Sequence, residues 1–162
     1  MEIRPIFLSD KAQLDLLIQK IESSLSNKEY WLPIDSISKQ HFFDIEWTHF
    51  YGIFKDNYLI GAVGLFFHPH EFEESAKQLE LNNEKVVELG RLMVLPEYRN
   101  QGIAKKLINF ALKECPSYDI LLATVHPENF ASKSALLNCG FSYVKTYVKS
   151  CGYLRDIVVK KS

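Results

Sequence analysis

The stretch from Glu88 to Glu114, ELGRLMVLPEYRNQGIAKKLINFALKE, constrains this chain more than any other. An apolar run ends at Val94, Pro96 stops it, and the turn YRNQG is polar. Gly102 then opens an amphipathic run whose Leu107, Ile108, Phe110, Ala111 and Leu112 largely share one face. A strand, a sharp turn and a helix in direct succession need a sheet on which that helix packs. The helix start leaves backbone N–H groups unpaired and carries about half a positive charge, a ready place for a phosphate. Gly102 and Ala104 would let a bulky diphosphate approach the backbone. Arg99 precedes the turn, and Lys105 and Lys106 sit in the first helical turn, where their charge opposes the dipole unless an anion is near. A plain strand-to-helix connection would also use glycine and polar residues, so the turn by itself leaves both readings open.

The rest of the chain supplies strands for that sheet. Glu2 to Phe7 reads as a short opening strand, and Ser9 offers an N-cap to KAQLDLLIQKIESSL, where Leu14, Leu17, Ile18, Ile21 and Leu25 form one stripe. A second helix, capped near Asp35 or Ser36, follows Pro33. Thr48 to Lys55 and the run from Tyr58 form a hairpin across Asp56-Asn57, with Gly61 and Gly64 marking a bulge or close packing. His70 to Asn83 is rich in glutamate and reads as a solvated loop or short surface helix. Then come a strand over Lys85 to Val94, a helix over Gly102 to Glu114 and a strand over Tyr118 to Val125. A helix over Asn129 to Asn138 and two strands, Phe141 to Val148 and Tyr153 to Lys160, close the chain. The succession predicts an α/β (α+β) fold, a mixed sheet with helices on both faces. At 162 residues and 47% apolar, the chain has material for one core, and a single domain over residues 1–162 is expected.

Charge and cysteine usage exclude several classes of partner. The 19 basic and 20 acidic side chains nearly cancel and form no long block of one sign, so neither nucleic acid nor a membrane surface is expected as partner. Glu2, Arg4 and Asp10 interrupt the N-terminal apolar residues, and no apolar run is long enough to span a membrane, so a cytoplasmic location is expected. Cys115, Cys139 and Cys151 are odd in number and lack a CxxC pair, which indicates neither a disulfide framework nor a metal site.

The run Arg99-x-x-Gly102-x-Ala104, five residues beyond Val94, resembles the acetyl-CoA signature Q/R-x-x-G-x-G/A of the GNAT superfamily of N-acyltransferases. VHPENFASKSALLNCGFSYV, from Val125, resembles the second block of that family, in which an asparagine opens a helix and a Gly-Phe pair closes it; Asn129 and Gly140-Phe141 match. The two blocks cover residues 88 to 148, and the N-terminal half resembles the family only in element order. The resemblance implies a mostly antiparallel sheet of about seven strands, with one strand pair splayed to hold CoA. It implies acetyl-CoA as cosubstrate, with Leu92, Met93 and Val94 offering main-chain bonds to the pantetheine arm. Arg99, Asn100, Gln101, Gly102, Ile103, Ala104 and Lys105 would hold the diphosphate. Asn129 is a good N-cap and Gly140 a good stop on structural grounds alone, so Asn129 is either a cap only or a cap that also touches CoA.

Acetyl transfer to an amine needs an uncharged nitrogen, and therefore a base. Glu88 lies six residues before Val94, a spacing that matches the glutamate base of histone-modifying members of the family. Strand alternation places Glu88, Gly90, Leu92 and Val94 on one face and Arg91 on the other. Glu88 is either the general base or half of a structural ion pair. His126 and His49 are weaker alternatives, His126 because it follows the strand flanking the cleft. The Val94 N–H would hold the carbonyl oxygen as it becomes negative. Many family members protonate the leaving thiolate with a tyrosine seven residues after the asparagine, where this chain has Leu136. Water, Tyr143 or Tyr147 are the alternatives, and no acid is assigned.

The expected function is an N-acetyltransferase acting on a primary amine, a small molecule or an amino-acid-like acceptor. The alternative is a catalytically silent acyl-CoA-binding or sensing domain, which Leu136 favours. A nucleotide-binding domain is disfavoured, because both Gly-x-x-x-x-Gly-Lys and an early Gly-x-Gly-x-x-Gly are missing. The acceptor would be bounded by Lys28 to Ser38 and by the Lys149 to Tyr153 turn, with Tyr30, Trp31, His41, Tyr153 and Arg155 as candidate contacts. Family analogy also allows a homodimer.

Overall fold

The computed structural model describes all residues, 1–162. One seven-stranded sheet runs through it in the order β1-β2-β3-β4-β5-β7-β6, comprising β1 (Glu2–Pro5), β2 (Thr48–Lys55), β3 (Tyr58–Phe66), β4 (Val86–Val94), β5 (Ile120–Val125), β6 (Ser142–Val148) and β7 (Leu154–Lys161). Every neighbouring pair is antiparallel except β4 with β5. The flanking helices are α1 (Lys11–Ser23), α2 (Ser36–Gln40), α3 (Pro69–Ala76), α4 (Ile103–Glu114) and α5 (Phe130–Asn138).

Local chemistry explains most boundaries. Asp56 and Asn57 both have positive φ, 50 and 67, the two-residue hairpin geometry whose twist suits the flanking strands. Asp35 caps α2 by accepting from the Ser38 N–H at 2.8 Å. Ser9 does not cap α1. It lies inside a tight turn, Leu8–Asp10, because the Asp10 carboxylate instead accepts from the Phe7 N–H and pairs with Arg4. Leu14, Leu17, Ile18 and Ile21 bury their stripe as expected, whereas α1 ends at Ser23 and leaves Leu25 beyond it, half-buried. The glutamate-rich segment is more than solvated surface. Pro69–Ala76 is a helix that buries Phe72 against Leu122, Tyr147 and Ile157.

The largest departure from regular alternation is in β4. Ala62 stands opposite Met93 and Gly64 opposite Gly90, so two steps on β3 span three on β4. Arg91, at φ 53, lies in this bulge. The extra residue reverses the pleat: Glu88, Gly90 and Met93 now share a face, while Leu92 and Val94 turn to the other. The expected common face of Glu88, Gly90, Leu92 and Val94 is therefore corrected.

Candidate active site

β4 and β5 pair only through Val86, Val87 and Glu88, opposite Ile120, Leu121 and Leu122. Beyond Glu88 the two strands part, and the edge of β4 that faces β5 carries no partner strand. Leu95 N–H donates to the Ile60 carbonyl at 3.0 Å, which makes Leu95 and Ile60 a bonded pair and Val94 and Gly61 a non-bonded one. The Val94 N–H and C=O therefore point away from β3, into the opening. Arg99 Nε reaches back across it and donates to the Val94 carbonyl at 3.1 Å.

Past Val94, a tight turn over Pro96–Tyr98 leads into α4, and Gly102 occupies the N-cap with φ 75. A Cβ placed on Gly102 would meet nothing within 4 Å, so glycine is needed there for its backbone angle and leaves the approach open. None of the N–H groups from Asn100 to Lys105 donates to a loop, turn, cap or side-chain acceptor, and the first helical residues have none available within the helix. These consecutive donors sit at the positive end of α4, flanked by exposed Arg99, Lys105 and Lys106. Met93 and Ile103 point into the core, so they offer backbone only. A free strand edge leading to an open, unpaired helix start fits an extended pantetheine arm ending in a diphosphate.

Where the strands part lies a cavity of about 140 Å³, lined by residues of β4, β5, α3, α5 and the segment before α2. Glu88 lines it. Burial pushes the Glu88 carboxyl up to about 8, helped by the negative charge of Glu71 and opposed by Arg91 and Lys149. Gly90 leaves room beside it, since a Cβ there would come 3.4 Å from Glu88 Oε1. Arg91, expected on the opposite face, lines the same cavity because the bulge redirects it. Its guanidinium lies over the Trp31 ring at 4.7 Å and Nη1 donates to the Leu32 carbonyl, which ties the segment before α2 to β4. No carboxylate lies within 4.0 Å of it, so Glu88 and Arg91 do not form the direct ion pair that sequence reasoning left open.

Of the other expected residues, Leu92, Asn129, Leu136, Tyr30, Trp31 and Arg155 line the cavity. Asn129 stands at the N-cap position of α5 yet makes no side-chain cap bond, which corrects the expected cap. His41 is elsewhere, stacked on Trp47 with ring centroids 3.6 Å apart. His126 is buried beneath Tyr30, its Nδ1 accepting from the Glu128 N–H at 3.1 Å, and His49 packs edge-on against Phe67; neither lines the cavity. Tyr143 is exposed and bonds Thr146, while Tyr147 is buried against Ser75, so neither alternative acid faces the cavity. Tyr153 also stays outside it.

Lys149, at the edge of the turn expected to bound the acceptor, lines the cavity, as do Glu71, Thr124 and Ser132, which were missed. Glu71 is held by Trp47, whose indole N–H donates to Glu71 Oε1 at 3.2 Å and whose ring lies stacked between His41 and His68. Only the placement of α3 reveals Glu71, and no local motif marks it. No group of three or more His, Cys, Asp or Glu is arranged to hold a metal, and no helix is long and apolar enough to cross a membrane.

A family model described as the acetyltransferase (GNAT) family matches residues 17–141. Among solved structures, a ribosomal-protein-alanine N-acetyltransferase from Brucella melitensis is 18% identical with a TM-score of 0.73, covering 100% of both chains. Arabidopsis thaliana NAA60 in complex with a bisubstrate analogue is 20% identical, with a TM-score of 0.73 over 99% of this chain and 97% of that one. PaiA N-acetyltransferase from Thermoplasma acidophilum in complex with coenzyme A is 22% identical, with a TM-score of 0.64 over 99% and 98%. At these identities the likeness is one of fold. No curated protein sequence matches the chain.

Proposed function

Because the chain belongs to the acetyltransferase (GNAT) family, we propose that it moves an acetyl group from acetyl-CoA to a primary amine on a small or amino-acid-like acceptor, as a single cytoplasmic domain. The parting of β4 from β5 directly beside Glu88 carries this reading, since it sets the half-buried Glu88 carboxyl next to a free strand edge that leads on to an open helix start. Leu92, Met93 and Val94 offer main-chain groups to the pantetheine arm. Arg99, Asn100, Gln101, Gly102, Ile103, Ala104 and Lys105 would surround the diphosphate, mainly through backbone N–H that no other group takes, and Asn129 lines the cavity beside Glu88 from α5.

The thioester supplies an activated acetyl group, and the residues of the chain manage protons and charge around it. Glu88, at about 8, is a base roughly three orders of magnitude stronger than an ordinary carboxylate. It removes the ammonium proton so that the nitrogen lone pair can form the new N–C bond as the C–S bond breaks. The Val94 N–H, turned toward the opening, would donate to the carbonyl oxygen as it gains charge. Leu136 stands where an acid would be useful and can donate nothing, so the departing thiolate takes its proton from water. Leu136 is also the observation that favours the second reading, a CoA-binding domain without turnover.

Titrating the protein with acetyl-CoA, then following thiol release with an amine panel, tests both readings. Failure to bind CoA would sink them together. Binding without release for any amine would favour the silent domain.

A further inference from the structure

Two arginines line the cleft without a carboxylate partner, and they differ in kind. Arg91 is engaged by Trp31 and the Leu32 carbonyl and lies in the field of Glu88 and Glu71. Arg155 is 3% exposed, yet its only hydrogen bond runs from Nη1 to the carbonyl of its own neighbour Leu154, at 2.7 Å. No carboxylate lies within 4.0 Å of it. Thr48 Oγ1 is the one side-chain polar atom sealed from solvent without a partner, so the remaining Arg155 donors are not sealed off, and the residue lines the cleft. A buried guanidinium that no carboxylate contacts is costly to keep, and burial lowers its affinity for the proton, with the charge of Glu29 opposing in part.

The sheet register points Arg155 toward Glu88. Glu88 is level with Leu122, which is level with Val159, and Arg155 precedes Val159 by four residues on the same face of β7. That separation is roughly 13 Å along the strand at the usual rise, and the splayed side of the cleft lies between the two. Lys149 also lines the cleft but is already within 3.6 Å of Glu74. Arg155, with the Tyr153 ring 5.9 Å from its guanidinium and the charge of Glu29 farther off, is thus the cation of the acceptor side that no carboxylate contacts, facing a carboxyl that is mostly protonated at neutral pH.

We propose that the acceptor is an amino acid in the broad sense, an amine bearing a carboxylate that Arg155 holds while the amine lies at Glu88. This rests on the acetyltransferase reading above and names the substrate class for that site. A carboxylate takes up two guanidinium donors side by side and supplies the missing contact. A peptide with a free N-terminus has no such group near its amine, and a neutral amine leaves Arg155 without a partner.

The test compares matched probes: free α- and ω-amino acids, the primary amide of each, and alanine-starting peptides, all with acetyl-CoA and wild-type protein. The expected result is kcat/KM at least tenfold higher for some acid than for its amide. Arg155→Gln should pull that ratio toward one, and Arg155→Lys should keep part of it. Equal rates for acids and amides, or a preference for the peptides, would overturn the carboxylate assignment while leaving acetyl transfer intact. A ratio unchanged in Arg155→Gln would remove Arg155 from the site even if acids are preferred. The wild-type comparison needs no variant, so a poorly folding Arg155→Gln does not leave the question open. Release with no amine at all would instead overturn the acetyltransferase reading, and this inference with it.

Discussion

Replacing Glu88 by Gln should weaken catalysis and strengthen the fold at once. Glutamine keeps the shape of the protonated carboxyl and removes its titration. In the unfolded chain Glu88 loses its proton near 4.5, whereas in the folded chain it holds it to about 8. Between those values the folded state binds more protons than the unfolded one, so stability falls as pH rises through that window and is unaffected below it. At pH 7 the cost works out to about 3 kcal/mol, growing toward about 5 kcal/mol above pH 8. For a domain of this size, relieving about 3 kcal/mol raises the melting temperature by roughly 6 to 12 °C. Melting curves of wild type and Glu88→Gln should therefore coincide near pH 4 and separate steadily toward pH 8. Activity should move the opposite way. A base at about 8 is roughly one-tenth ionised at pH 7, so wild-type kcat should climb about tenfold between pH 7 and pH 9. Glu88→Gln should lose that limb and fall on the order of 100-fold or more. A variant that melts with wild type across the whole pH range would refute the desolvated-carboxyl argument. One that keeps wild-type turnover and its pH limb would remove Glu88 from the mechanism.

Other perturbations separate the donor site, the core and the ion pairs. Gly102→Ala meets no steric obstacle but keeps a positive φ of 75, so it should cost about 1 kcal/mol in stability, read by denaturant unfolding, and weaken CoA binding through the distorted turn. Leu107→Ala, at a fully buried position on α4, should cost about 2 to 5 kcal/mol in the same assay. Lys133→Ala removes the 2.7 Å partner of Asp156, a carboxylate 2% exposed, and should cost about 3 kcal/mol at neutral pH. The Arg4 guanidinium and the Phe7 N–H hold the Asp10 carboxyl below the ordinary range. Its stabilising effect is complete above about pH 4 and lost as pH falls through the lower folded value. Asp10→Asn should therefore flatten the acid limb of a stability-against-pH curve.

The donor side was legible in the chain because it depends on rules that act within a few residues. Pro96 ends a strand, Gly102 takes a positive φ, and an amphipathic run after it can only be a helix against a sheet. The acceptor side was only partly legible, because its geometry depends on pairings between distant segments. The bulge at Arg91 is set by the register of β4 on β3, and a single extra residue there moved Arg91 into the cleft and turned Leu92 and Val94 away from the face of Glu88. Glu71 lies on a helix whose buried residues are only Phe72 and Ser75, too thin a stripe to read by periodicity, and Trp47 fixes it from another element. Arg155 was already a candidate contact. Its lack of a contacting carboxylate could emerge only once every neighbouring carboxylate had a position.

The unpaired donors from Asn100 to Lys105 carry a further consequence for how this chain can change. Nineteen of the twenty residue types would supply the same N–H, and only proline deletes one. A site drawn in backbone atoms is thus nearly deaf to substitution, provided that Gly102 keeps its turn and α4 its packing. On the proposed reading, the side chains of the acceptor half enjoy no such immunity, so mutation could retarget this fold to new acceptors while the backbone grip on the donor stays as it is.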